Sequence, residues 1–129
     1  MNVHTHSTTF AAPADRVFAF VSNIENLPKW APGFCQELRK DGDDYFVTTP
    51  GGEIFFRIDH QASTGVVDMV AGPQKNQTMT WPARVAGLPS GECLFTFTVI
   101  QTPDMSDDAY AEQNAAIKGE FENIRHAVE

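Results

Sequence analysis

Two polar residues of this 129-residue chain lie within apolar patterns where they could contact a ligand. Asn114 interrupts an apolar helical stripe, and an unsatisfied buried amide costs about 1–3 kcal/mol. Its partner could be a ligand, a strand carbonyl or water, and a satisfied structural amide is the commoner case. Arg84 could bind a carboxylate, phosphate or enolate oxygen with its planar guanidinium. Strand alternation puts Arg84 on the face opposite Trp81, outside a cavity unless Pro82 introduces a bulge.

Two further residues could serve acid–base chemistry. Asp68 lies between apolar neighbours, and a general acid or base role would require burial and a raised pKa. The safer expectation is a cross-strand pair with Arg57 or Arg84, worth about 0.2–1 kcal/mol. His60 shares the apolar face of its strand but falls at the strand end, where a solvated imidazole is expected. No catalytic residue can be assigned from these patterns, so an enzymatic activity is left open.

Metal and nucleophile motifs are absent from the sequence. His4 and His6 share one face of a strand, but the pattern supplies no third ligand, so no metal is expected. Cys35 and Cys93 fit no metal or redox spacing and are expected to be free, buried thiols. Neither a phosphate-binding loop nor a nucleophile elbow is present, and we expect no cofactor.

Charge and composition exclude several classes of protein. The net charge is −8, which disfavours nucleic acid as a partner. No signal peptide precedes the first strand, and no stretch approaches the roughly 20 apolar residues of a membrane span, so a cytoplasmic protein is expected. The chain has ten Phe and only two Tyr. These apolar rings must pack against one another or against a ligand.

The pattern of elements predicts one α+β domain over residues 1–129. A strand at 3–10 is followed by two short helices separated by a break, the second carrying Trp30 between Pro28 and Pro32. Short turns then separate six candidate strands, at 34–40, 43–49, 53–61, 65–71, 77–86 and 91–101. Ser106 is a good N-cap for a final helix of roughly 30 Å. The apolar face of that helix carries Tyr110, Asn114, Ile117, Phe121, Ile124 and Val128.

Three stretches carry a resemblance to a known superfamily: TTFAAPADRVFAFVSNIENLPKWAPGF, then GVVDMV followed by WPARV, and LFTFTVIQTPDMSDDAY. They resemble the helix-grip fold of the START-like superfamily, also called SRPBCC, in its polyketide cyclase/dehydrase-like branch. The last two fit a small bacterial subgroup. The resemblance implies a curved seven-stranded antiparallel sheet wrapped around the long C-terminal helix. In this subgroup a His is expected after Asp68. This chain has Met69 at that position, so a mechanism based on that His is not supported.

The resemblance and the excess of Phe predict a cavity between the sheet and the C-terminal helix. Its candidate lining residues are Trp30, Phe56, Trp81, Arg84, Phe95, Phe97, Tyr110, Asn114, Ile117 and Phe121. Two interpretations of Trp30 are equally supported. It could form a wall or lid of the cavity, or it could cap the core. The expected function is binding of a small hydrophobic or aromatic metabolite or lipid. The alternatives are a polyketide cyclase/dehydratase-like enzyme and a protein-interaction module, with a homodimer left open.

Overall fold

The first and last strands of the chain lie side by side, which brings the N-terminal strand beneath the C-terminal helix. The computed structural model describes residues 1–129. The strands are β1 Val3–Phe10, β2 Glu37–Asp41, β3 Asp44–Thr49, β4 Gly52–Gln61, β5 Val66–Gln74, β6 Gln77–Trp81, β7 Ala83–Gly87 and β8 Cys93–Ile100. The α-helices are α1 Ala14–Val21, α2 Leu27–Trp30 and α3 Asp107–Val128, with a 3₁₀ turn at Ile24–Asn26.

The strands form one curved antiparallel sheet in the order β1-β8-β7-β5-β4-β3-β2, and β6 also pairs with β5. The predicted helix-grip architecture is confirmed. The strand predicted at 77–86 is broken in two at Pro82, which has no amide hydrogen for the ladder. The Pro82 carbonyl still accepts from the amide of Thr98 at 2.9 Å, so the chain continues beside β8.

The helices begin where the sequence supplies capping groups. Asn23 accepts from the Glu25 amide and starts the 3₁₀ turn, and Pro28 occupies the first turn of α2. Ser106 accepts from the Ala109 amide at 3.1 Å and caps α3. At 22 residues, α3 is roughly 33 Å long and lies over β1 and β8 on the inner face of the sheet.

The core lies between α3, α1 and the inner faces of β8, β7 and β5. Phe10, Phe95 and Phe121 form its aromatic centre, with ring centroids 6.0 Å apart for the first pair and 5.4 Å for the second. Cys35 and Cys93 are free and buried in the same core, and burial raises the pKa of both thiols. The core is therefore densely filled by rings beneath the C-terminal half of α3.

Replacing Gly65 by alanine is expected to destabilise the protein by about 2–4 kcal/mol. Gly65 has a φ of +73°, and an added Cβ would lie 1.9 Å from the Val85 carbonyl oxygen. Gly91→Ala is the matched control, because Gly91 also has a positive φ but no atom lies within 4 Å of its Cβ position. Urea unfolding measures both variants. Equal losses would show that strain alone, and not the close approach to β7, sets the cost.

Candidate functional site

Some inner-face side chains of the sheet lie outside the main contacts of α3 and are only half-buried. α3 packs mainly on α1, α2, β1 and β8. β4 and β6 are not among these main contacts. Their inner-face side chains Ile54, Ile58 and Trp81 pack against the core while remaining half-buried. The area formed by these side chains, together with the flank of α3 and with α2, is called the inner recess below.

Three of the predicted lining residues are only half-buried, so part of each side chain is accessible to a ligand. Trp81 and Phe97 are half-buried on β6 and β8, and Tyr110 is half-buried on the first turn of α3. The indole Nε1 of Trp81 donates to the Ile100 carbonyl at 3.4 Å, which holds the ring across the end of β8. All three rings pack against the core and remain partly accessible.

Five other predicted lining residues are members of the core: Trp30, Phe56, Phe95, Ile117 and Phe121. Phe95 is fully buried, and the other four expose 7% of their surface or less. Because these side chains fill the space under α3, the recess is shallower than a cavity lined by all the predicted rings would be.

Asn114 lies on the opposite flank of α3, in a surface groove between α3 and β1. Its side-chain oxygen accepts from His6 Nε2 at 2.7 Å, and its amide nitrogen donates to the Tyr110 carbonyl at 3.0 Å. The half-buried amide is thus satisfied within the protein. The groove has a volume of about 380 Å³ and is lined by His4, Thr5, His6, Ser7, Thr8, Asn114, Ile117, Lys118, Phe121 and Glu122. Most of this lining is polar.

Arg84 lies outside the recess, which corrects its prediction as a lining residue. The register pairs Arg84 with Thr96 on β8 and with Val66 on β5, on the outer face of the sheet. Its side chain is exposed. Pro82 breaks the strand without shifting the alternation, so Ala83 and Val85 point inward and Arg84 points outward.

The predicted pairing of Asp68 is also wrong. Asp68 lies opposite Asp59, and Arg57 binds Asp59 on its own strand at 2.9 Å. The Asp68 carboxylate accepts instead from the Ala83 amide at 3.3 Å, where β7 begins. Asp68 therefore supports the strand break and does not face the recess.

Histidines do not supply acid–base chemistry to the recess. His60 is exposed near the end of β4, as predicted, with its ring centroid 6.0 Å from that of Phe18. Met69 is buried in the core opposite Ile58 and Trp81. His4 and His6 contact each other edge to face at 4.4 Å, and no group of three or more His, Cys, Asp or Glu side chains could hold a metal ion.

Glu120 is the functional candidate that sequence reasoning missed. It is half-buried on α3, and its carboxylate takes part in no hydrogen bond or ion pair, unlike its neighbour Glu122, which pairs with Arg125. Desolvation by the surrounding protein raises the pKa of Glu120 to about 7. The sequence feature that could have identified Glu120 is its spacing from Ile117 and Ile124. This spacing places an acidic residue on the border of the apolar stripe of α3.

Trp30 provides a second unsatisfied polar group beside this flank of α3. Its indole Nε1 is buried and has no hydrogen-bond partner. Its carbonyl accepts from the Asn123 side chain at 3.2 Å, one helical turn beyond Glu120. Trp30 itself is 3% exposed and belongs to the core. A buried donor and a largely desolvated acid thus lie on adjacent elements, α2 and α3.

The curved antiparallel sheet, with α3 on its inner face, is a helix-grip fold. The sequence matches the family described as polyketide cyclase/dehydrase and lipid transport over residues 1–125, and the chain belongs to that family. None of the curated proteins matches the chain in sequence.

Solved structures share the fold at low sequence identity. A START superfamily protein from Mycobacterium smegmatis has a TM-score of 0.64 at 11% identity, covering 98% of this chain and 96% of that chain. Norcoclaurine synthase from Thalictrum flavum has a TM-score of 0.68 at 15% identity, with 98% and 85% covered. The Aha1 dimer from Colwellia psychrerythraea has a TM-score of 0.74 at 14% identity, with 100% and 97% covered. None of the helices has the length and hydrophobicity of a membrane-spanning segment.

Proposed function

We propose that the protein binds a small hydrophobic or aromatic molecule in the inner recess, with Glu120 accepting a hydrogen bond from it. The observation that carries this proposal is the half-buried, unpaired carboxylate of Glu120 on α3, three residues from buried Ile117 and four from buried Ile124. An acid without a partner in such a place lowers stability unless a ligand supplies the donor. Half-buried Trp81, Phe97 and Tyr110 supply the apolar contacts.

The chemistry of the recess indicates the class of ligand. Small-molecule sites combine a mostly apolar lining with a few polar groups that fix orientation. Here the polar group is an acceptor, so the ligand carries a hydroxyl or amine donor on an apolar body. The family, described as polyketide cyclase/dehydrase and lipid transport, is consistent with such ligands.

We propose that residues 1–129 form one binding domain that works in the cytoplasm.

The test compares two fluorescent ligands of similar shape, 2-naphthol and 2-methoxynaphthalene, of which only the first has a donor. The wild-type protein is expected to prefer 2-naphthol by about tenfold or more, since a hydrogen bond to a charged group contributes about 1.5–3 kcal/mol. Glu120→Met should lose that preference and still bind both rings. Glu122→Met is the matched control and should keep it. Equal binding of the two ligands by the wild type would overturn the role of Glu120, and binding of neither would overturn the proposed function.

A second candidate function, enzymatic proton transfer, is favoured by the pKa of about 7 at Glu120. A carboxylate that titrates near neutral pH can take a proton from one carbon and return it to another. The chemistry would be enolisation of an aromatic ketone, in line with a cyclase or dehydratase. In deuterated buffer, the wild type should speed exchange of the α-protons of 2-tetralone above the buffer rate, and Glu120→Gln should not. Exchange at the buffer rate with both proteins would exclude this activity.

A further inference from the structure

The two edges of the sheet are built differently. The β2 edge, Glu37–Asp41, reads ELRKD, so four of its five residues are charged. The β1 edge, Val3–Phe10, reads VHTHSTTF and pairs with β8 in an unbroken register. It contains no Lys, Arg, Asp, Glu, Pro or bulge. Charged residues, prolines and bulges are the devices that keep sheet edges from pairing with other chains. The protein protects its β2 edge and leaves β1 without such protection.

The ladder between β1 and β8 determines which backbone groups of β1 point outward. The Gln101 amide donates to the Asn2 carbonyl at 3.0 Å, and these residues extend the β1–β8 register by one pair. Hydrogen-bonded pairs alternate along an antiparallel ladder. The even-numbered residues of β1 therefore bond to β8, and the odd-numbered residues direct their amides and carbonyls away from the sheet.

One end of this outward side is covered by α3. Arg125 Nη1 donates to the Thr9 carbonyl at 2.9 Å. The Glu129 carboxylate accepts from the Ala11 amide at 2.9 Å. Both contacts are made to backbone groups of odd-numbered residues that point away from β8. This agrees with the alternation of hydrogen-bonded pairs along the ladder. The open part of the edge is thereby limited to the first half of β1.

Val3, Thr5 and Ser7 remain open, and no hydrogen bond reaches their outward amides and carbonyls. We propose that this open edge binds a second copy of the chain by antiparallel strand pairing, forming one continuous sheet. The register places Thr5 opposite the partner's Thr5, and Val3 opposite the partner's Ser7. Each facing pair exchanges its amide and carbonyl bonds, so all the open groups of both copies are satisfied.

A second copy fits this edge better than an unrelated peptide. The pattern of open groups is self-complementary about Thr5, which a two-fold axis requires. Strand addition obtains specificity for a foreign peptide from side-chain pockets, and the exposed side chains of Val3, Thr5 and Ser7 offer a flat edge. The chain carries a formal charge of −8 at pH 7, but the strand itself has no Lys, Arg, Asp or Glu, so strand pairing brings no like-charged side chains of β1 opposite each other.

The test is sedimentation of the full-length protein over a range of concentrations. The wild type is expected to show a reversible monomer–dimer equilibrium in the micromolar to millimolar range. Thr5→Pro removes the outward amide at the two-fold axis and keeps the ladder to β8, since proline is accepted where the amide of an edge strand faces solvent. It should raise the dimer dissociation constant at least tenfold. Thr5→Ser retains the amide and the hydroxyl that contacts Thr98 at 2.8 Å, and should dimerise like the wild type.

A second variant guards against a folding defect in Thr5→Pro. Thr5→Asp places two carboxylates directly opposite each other at the seam and should also be monomeric, because like charges in facing strand positions repel. Circular dichroism melting in dilute solution checks that each variant is folded. A wild type that stays monomeric at millimolar concentration would overturn the proposal. A folded Thr5→Asp variant that dimerises like the wild type would also overturn it. Neither result depends on ligand binding in the recess.

Discussion

Phe95→Ala is expected to destabilise the protein by about 3–5 kcal/mol. Phe95 is fully buried, and its ring packs against those of Phe10 and Phe121 at centroid distances of 6.0 and 5.4 Å. Removing the ring leaves a cavity that the surrounding sheet and helix cannot fill. Urea denaturation at neutral pH measures the loss as a lower midpoint with an unchanged slope.

Phe97→Ala is the matched variant, two residues further along the same strand and on the same inner face. Phe97 is half-buried at the recess, so its loss is expected to cost less stability, about 1–2 kcal/mol, while weakening the binding of 2-naphthol. The pair separates a core residue from a recess residue. Equal loss of stability in the two variants would contradict this distinction and would make the recess part of the core.

Glu120→Gln is expected to stabilise the protein by roughly 1–3 kcal/mol at pH 8 and to have little effect near pH 4.5. At pH 8 the wild-type carboxylate is charged without a partner, whereas the glutamine is neutral at every pH. Unfolding in urea at both pH values measures the difference. Glu122→Gln, with an exposed carboxylate paired to Arg125, is the control and should change stability by less than about 1 kcal/mol at either pH.

The direction of the pH dependence follows from where Glu120 titrates. Its pKa rises from an ordinary value of 4.5 to about 7 in the folded protein because of desolvation. Between those values the folded state holds a proton that the unfolded chain has released. The contribution of Glu120 to stability therefore falls as pH rises from about 4.5 to about 7, and is constant above. A Glu120→Gln advantage that is the same at pH 4.5 and pH 8 would show that Glu120 is not desolvated.

The architecture was predictable because its signals are local and repeated. Turn residues separate the strands, apolar positions recur along α3, and Ser106 marks its start. The break at Pro82 was harder to foresee, because a proline near a strand end can either bulge or interrupt the ladder. The structure shows interruption with the alternation kept, which fixes Arg84 on the outer face.

The candidate site was predictable only in part. The alternation of residues along a strand predicts which face of the sheet a side chain lies on, but not how deeply that side chain is buried. Phe95 and Phe97 share a face, yet one lies in the core and the other is half-buried. The position of α3 over β1 and β8 makes that difference, and no sequence pattern states it. Glu120 escaped notice for a related reason, since an acid beside an apolar stripe is usually solvated.

The measurement that tests ligand binding in the recess most directly is a nuclear magnetic resonance titration with 2-naphthol. It follows the indole N–H signals of Trp30 and Trp81 and the side-chain signals of His4 and His6. The proposal predicts a saturable shift of the Trp81 signal, with the two histidines unchanged. Shifts confined to the histidines would place the ligand in the groove beside β1, and no shift at millimolar ligand would show that the recess does not bind it. Either of these results would contradict the proposed function.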